Sequence, residues 1–152
     1  MGLQSGRNKH ELLVGVGMPK SKKIDHVSFA VKDIDEVISF FSEVLGAEGV
    51  SKGNHLRDGY RFASFKLGES NVELMAPLRD DGFVAKFIER HGEGFNHFTV
   101  QVEDIDKIIT SLERRGLKIH GEVSQGPGWK SAFIHPRDAY GVLIQLLEGS
   151  WG

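Results

Sequence analysis

The sequence predicts an α+β fold made of two tandem copies of a strand–helix–three-strand unit. Three observations carry this. The segments "IDHVSFAVKDIDEVISFF", from Ile24, and "FNHFTVQVEDIDKIITSL", from Phe95, align at a constant offset of 71 residues. Within each, the hydrophobic period changes from two to about 3.6, the signature of a strand followed by a helix. After each helix the chain breaks into short alternating runs divided by glycine turn signals.

The elements follow in order. Val27, Phe29 and Val31 alternate with His26, Ser28 and Ala30, a strand pattern. After Asp33 the apolar residues are Ile34, Val37, Ile38, Phe41 and Leu45, at helical spacing. Asp33 with Glu36 resembles a capping box, and Gly46 is placed to stop the helix. A weak strand is expected within 47–56. Stronger ones are expected at "YRFASFKLG" (60–68) and "NVELMAP" (71–77), joined by a tight turn at 68–70. "GFVAKFIERHG" (82–92) predicts a short helix with Phe83, Phe87 and Ile88 on one side. In the second copy, Phe98, Val100 and Val102 form a strand face, Ile105, Ile108, Ile109 and Leu112 a helix face, and Gly116 the stop. Strands at 117–123, 130–136 and 141–148 complete it. The expected organisation is an N-terminal arm (1–21) and a single domain (22–152), with modules 22–80 and 93–148 and a linker helix at 82–91.

A chain of 152 residues suits one domain with a sizeable core. With a net charge of −2, nothing in its composition points to nucleic acid or a membrane as partner. The basic cluster "PKSKK" (19–23) reads as a solvated segment. With no cysteine there is no disulfide framework and no thiolate ligand or nucleophile, so any metal would be held by nitrogen and oxygen. No apolar run has the length of a membrane span, and the N-terminus makes a poor signal peptide. A cytoplasmic protein is expected.

The segments "IDHVSFAVKDID", "NVELMAPL", "VAKFIERHGEGFNHFTVQVEDID" and "FIHPRDAYGVLIQLLE" resemble the vicinal oxygen chelate superfamily over about residues 22–148. Within it they are most similar to the methylmalonyl-CoA epimerase and glyoxalase I-like branch. The resemblance implies two βαβββ modules curling into one cupped, barrel-like mixed sheet of the glyoxalase/bleomycin-resistance type. It also implies a divalent metal held by one residue from the first strand and one from the last strand of each module. On this chain those positions are His26 and Glu73, then His97 and Gln145.

The repeat supports this set. His26 and His97 lie 71 residues apart, Glu73 and Gln145 72 apart. The strand phases place all four opposite the apolar face that would cover the helices. Imidazole with carboxylate and amide oxygens suits Zn²⁺, Co²⁺, Ni²⁺, Mn²⁺ or Fe²⁺. Six-coordinate geometry would leave two positions for water or substrate oxygens. The five remaining histidines lack such pairing and read as structural or surface residues, with His55 and His135 nearest the pocket. "SQGPGWK" (124–130) reads as a hairpin turn; as a pocket lip it would offer Trp129 or Lys130 to substrate.

The resemblance implies a metal-dependent epimerase, isomerase or lyase moving a proton next to the carbonyl of a thioester or α-carbonyl compound, as a homodimer. Glu73 is the expected catalytic carboxylate. The chain departs from the family at "GVLIQL", where glutamate is usual. Gln145 can ligate through oxygen but is no general base. Glu148, three residues on, should face the other side of its strand. Two alternatives are a non-catalytic small-molecule-binding module of the resistance type and an Fe²⁺ ring-cleaving dioxygenase. The second is disfavoured because the candidate glutamate is not on the last strand.

Overall fold

A computed structural model describes residues 18–151. The residues of the expected arm from 1 to 17, His10 among them, lie outside the described residues. Eleven helices and strands follow: β1 (Ser21–Ala30), α1 (Ile34–Leu45), β2 (Glu48–His55), β3 (Tyr60–Leu67), β4 (Ser70–Pro77), α2 (Phe83–His91), β5 (Gly94–Val102), α3 (Ile105–Arg114), β6 (His120–Gly126), β7 (Trp129–Ile134) and β8 (Leu143–Gly149). A 3-10 turn at Pro136–Asp138 precedes β8. No helix among the described residues is long and apolar enough to cross a membrane.

All eight strands form one open, curved sheet in the order β2-β3-β4-β1-β5-β8-β7-β6. Each module contributes four strands. β1 lies parallel to β4, β5 lies parallel to β8, and the modules join through the antiparallel β1–β5 pair. The register there repeats the duplication: His26 sits opposite Thr99 and Ser28 opposite His97. The two halves are thus related by a pseudo-two-fold axis through the β1–β5 seam.

Helix boundaries follow from local chemistry. The Asp33 carboxylate accepts the Glu36 amide at 3.1 Å, a cap that contributes about 1 kcal/mol. Gly46 ends α1 in the left-handed region at φ 69°, which a side chain would disfavour. Asp104 caps α3 in the same way, and Glu148 adds a second acceptor, 2.9 Å from the Ile105 amide.

The helix side of the sheet holds two apolar clusters that obey the strand alternation. One joins Val31, Ile34, Ala63, Phe65, Val72 and Leu74. Its counterpart joins Val102, Ile105, Leu112, Ala132, Ile134 and Leu146. Truncating fully buried Leu74 to alanine would remove roughly 2–5 kcal/mol. A third cluster, Ala30, Met75 and Val84 with Tyr60, Phe87 and Ile88, seats α2 against the other face of the first module.

Three expectations shift. The α2 anchor is Val84, 1% exposed, while Phe83 is 45% exposed and leans on Tyr60. The first strand after α3 begins at His120 rather than 117, because Leu117 and Ile119 fill the core as coil. That strand runs on to Gly126, so Pro127 and Gly128 alone make the hairpin turn.

Candidate metal centre

The four expected ligands meet on the face of the sheet away from α1 and α3. Alternation puts His26 and Ser28 of β1 and His97 and Thr99 of β5 on that face, all buried. β4 brings Glu73 beside Ser28, and β8 brings Gln145 beside Thr99. Candidate ligand atoms of His26, Glu73 and His97 all lie within 4.8 Å of one another. The imidazole centroids of His26 and His97 are 6.0 Å apart.

The supporting hydrogen bonds are duplicated too. Ser28 Oγ donates to Glu73 Oε1 at 2.8 Å, and Thr99 Oγ1 donates to Gln145 Oε1 at 2.8 Å. His26 Nδ1 is 2.8 Å from Asp25 Oδ2, and His97 Nδ1 is 2.7 Å from Asn96 Oδ1. A carboxylate or amide oxygen there requires the proton on Nδ1, which turns each Nε2 lone pair into the site. A regular strand would point Asp25 and Asn96 to the opposite face. Each instead occupies a register shift: Asp25 falls between the pairs Ile24–Val100 and His26–Thr99, and Asn96 between Phe29–Phe95 and Ser28–His97. Such bulges re-aim side chains beside functional sites. The 71-residue offset that pairs the histidines also pairs Asp25 with Asn96 and Ser28 with Thr99.

The balance of donors and acceptors fits a cation. His97 Nε2 is buried with no hydrogen-bond partner. The single Thr99 hydroxyl proton faces two acceptors, Gln145 Oε1 and, at 3.1 Å, His26 Nε2. Glu73 Oε1 adds a third acceptor 4.0 Å from His26 Nε2. Held by the two imidazoles, a divalent ion would resolve both problems and leave the Thr99 proton to Gln145. The His97 imidazole is ready for this: burial, then the neighbouring His26, lowers its pKa to about 4, with Gln145 acting in the opposite sense. It is therefore neutral at pH 7.

The other singled-out residues divide clearly. Glu148 lies on the helix side, committed to the α3 amide. His55 is exposed, stacked on Tyr60 and Phe62. His135 Nδ1 accepts the Arg137 amide at the 3-10 turn, and its ring meets His120. Trp129 begins β7 beside the hairpin turn. Its indole lies 6.2 Å from Trp151, whose ring lies 5.7 Å from His26. Trp151 has no signal in the sequence pattern. Two surface concavities, one between α1 and the start of β5 and one under the 125–130 hairpin, contain no ligand-set residue.

Comparison with known proteins agrees with this architecture. The family model of the Glyoxalase/Bleomycin resistance protein/Dioxygenase superfamily matches residues 23–146. The chain is 30% identical over 128 residues to the human mitochondrial methylmalonyl-CoA epimerase, covering 82% of this chain and 72% of that one. The crystal structure of methylmalonyl-CoA epimerase from Mycobacterium tuberculosis superposes with a TM-score of 0.77 at 31% identity, over 89% of this chain and 93% of the other. A Streptomyces coelicolor methylmalonyl-CoA epimerase variant in complex with 2-nitronate-propionyl-CoA gives 0.75 at 27% identity, over 86% and 99%. With its family model spanning most of the sequence and its fold matching these enzymes, the chain belongs to the Glyoxalase/Bleomycin resistance protein/Dioxygenase superfamily.

Proposed function

We propose that the protein is a divalent-metal-dependent isomerase that moves a proton on the carbon next to a carbonyl, with a CoA thioester or a related α-carbonyl compound as substrate. The observation that carries this is the convergence of His26, Glu73 and His97 within 4.8 Å on one buried face. The relatives named as methylmalonyl-CoA epimerases support the thioester class.

His26, Glu73, His97 and Gln145 would hold the ion. When bound, it supplies Lewis-acid stabilisation of the negative charge that develops on a carbonyl oxygen. The protein's own groups do the rest. Ser28 fixes Glu73 Oε1 by its hydroxyl proton, leaving Oε2 to take the α-proton. Asp25 and Asn96 hold the imidazoles in one tautomer and orientation. Thr99 fixes Gln145 through its amide oxygen. Phe133, opposite Gln145 on β7 and 5.9 Å from the His97 ring, gives the second module an apolar wall.

The test is solvent exchange. Metal-loaded protein in D₂O is expected to place deuterium on the carbon next to the carbonyl of methylmalonyl-CoA or of a glutathione hemithioacetal. No incorporation into either, with Zn²⁺, Co²⁺, Ni²⁺, Mn²⁺ and Fe²⁺ each tried, would overturn the proposal.

A further inference from the structure

The two half-sites match in geometry but not in charge. The first module supplies carboxylates at both supporting positions, Asp25 and Glu73, and the second supplies amides at both, Asn96 and Gln145. Glu73 and Gln145 are related by the pseudo-two-fold axis of the seam and so stand on opposite sides of it. A substrate carbon bound between them would meet a base on one side and a neutral amide on the other.

Among the described residues no further base near the site fills the gap. Among them Glu73 is the one carboxylate in the metal-binding cluster. Asp25 is engaged with His26 Nδ1, away from the Nε2 side. Glu148 caps α3 on the far face of the sheet, and Glu93 accepts the Lys32 amide at 2.6 Å. The Tyr60 hydroxyl is held above its ordinary range by burial, then by Glu73 and Asp58, so it stays protonated. Both imidazoles turn their Nε2 atoms to the ligand position.

We infer that this site transfers protons on one face of the substrate only, and so exchanges the α-proton of a single stereoisomer without interconverting epimers. The inference rests on the proton-transfer reading above. In the step, the Glu73 carboxylate removes the α-proton as the C–H electron pair moves into an enolate on the carbonyl. The resulting carboxylic acid returns a proton, its own or one exchanged with solvent, to the face it came from. Configuration at that carbon is retained. A suprafacial shift of the proton to the adjoining carbon of an α-hydroxycarbonyl adduct is open to the same single base.

The experiment uses metal-loaded full-length protein in D₂O with the two epimers of methylmalonyl-CoA supplied separately. Deuterium in one epimer, with configuration retained and the other epimer untouched, is the expected result. Interconversion of the epimers above the spontaneous rate, with deuterium in both, would overturn the inference while leaving the proton-transfer reading intact. Absence of deuterium from both epimers would overturn the inference, and absence from the glutathione hemithioacetal as well would overturn that reading with it.

Gln145→Glu supplies the missing base, and interconversion should then rise at least tenfold above wild type. Interconversion unchanged in a variant that still binds metal would count against the inference. Metal binding is read independently of turnover from the quenching of Trp129 and Trp151 fluorescence by Co²⁺. These are the chain's two tryptophans, and they lead directly to His26.

Discussion

Metal-free protein should lose stability on mild acidification, with His97 contributing a large share of the loss. The residue is 4% exposed, and burial, followed by the adjacent His26, lowers its pKa from the ordinary 6.5 to about 4. Because the folded-state value lies below the unfolded one, the unfolded chain takes up this proton first. The stabilisation from His97 is complete above about pH 7, falls as pH drops from 6.5 towards 4, and levels off below that. A difference of this size corresponds to roughly 3 kcal/mol across the window. That is a large part of the stability of a domain this size. The assay is urea denaturation of chelator-treated protein at pH 7.5, 5.5 and 4, beside His97→Gln, which cannot titrate. Other groups titrate in both proteins, so the difference between the two pH profiles isolates His97. The wild-type profile should fall by about 3 kcal/mol more than the variant's. Parallel profiles would refute the reasoning and mean that His97 is solvated or partnered in the metal-free protein.

Four further outcomes are expected. Glu73→Gln should lower solvent exchange at the substrate α-carbon at least about a hundredfold, measured by NMR, because among the described residues no other carboxylate joins the cluster. Asp25→Asn should weaken Co²⁺ binding about tenfold by fluorescence titration, since His26 loses the anionic partner that orients its ring and fixes its tautomer. Thr99→Val should weaken binding on the order of tenfold in the same titration, because the Gln145 oxygen and the seam lose their shared hydroxyl. Gly149→Ala should lower stability by roughly 2 kcal/mol or more in thermal denaturation. At φ 82° its Cβ would run into the Gly128 carbonyl, which is backbone and cannot swing away.

The fold was legible because its periodicities are strong and occur twice. Val27, Phe29 and Val31 against Ile34, Val37, Ile38 and Phe41 leave one reading, and the same switch at Val102–Ile105 confirms it. Boundaries were less legible where coil does the work of a strand, as at Leu117 and Ile119. The histidine pair was visible because both identity and spacing repeat. Its supports Asp25 and Asn96 were hidden because strand alternation sends the residue before a histidine to the other face. Only the bulges bring them back, and a bulge depends on cross-strand register, which no local pattern carries. Trp151 reaches His26 from beyond the last strand by a tertiary path with no period to betray it.

The β1–β5 seam has a consequence for how the molecule holds together. Its register maps onto itself under the 71-residue offset, so chemically it is the joint of a dimer written into one chain. The proposed ligand set is divided across that joint, two residues on each side, so neither half would possess the site alone. An ion bound there would be a clasp: its binding energy would add to the closure of the seam rather than to either half. Occupancy and assembly are then one equilibrium. The α2 linker serves to keep the second half at hand, so a chain cut within it would retain every group the clasp requires.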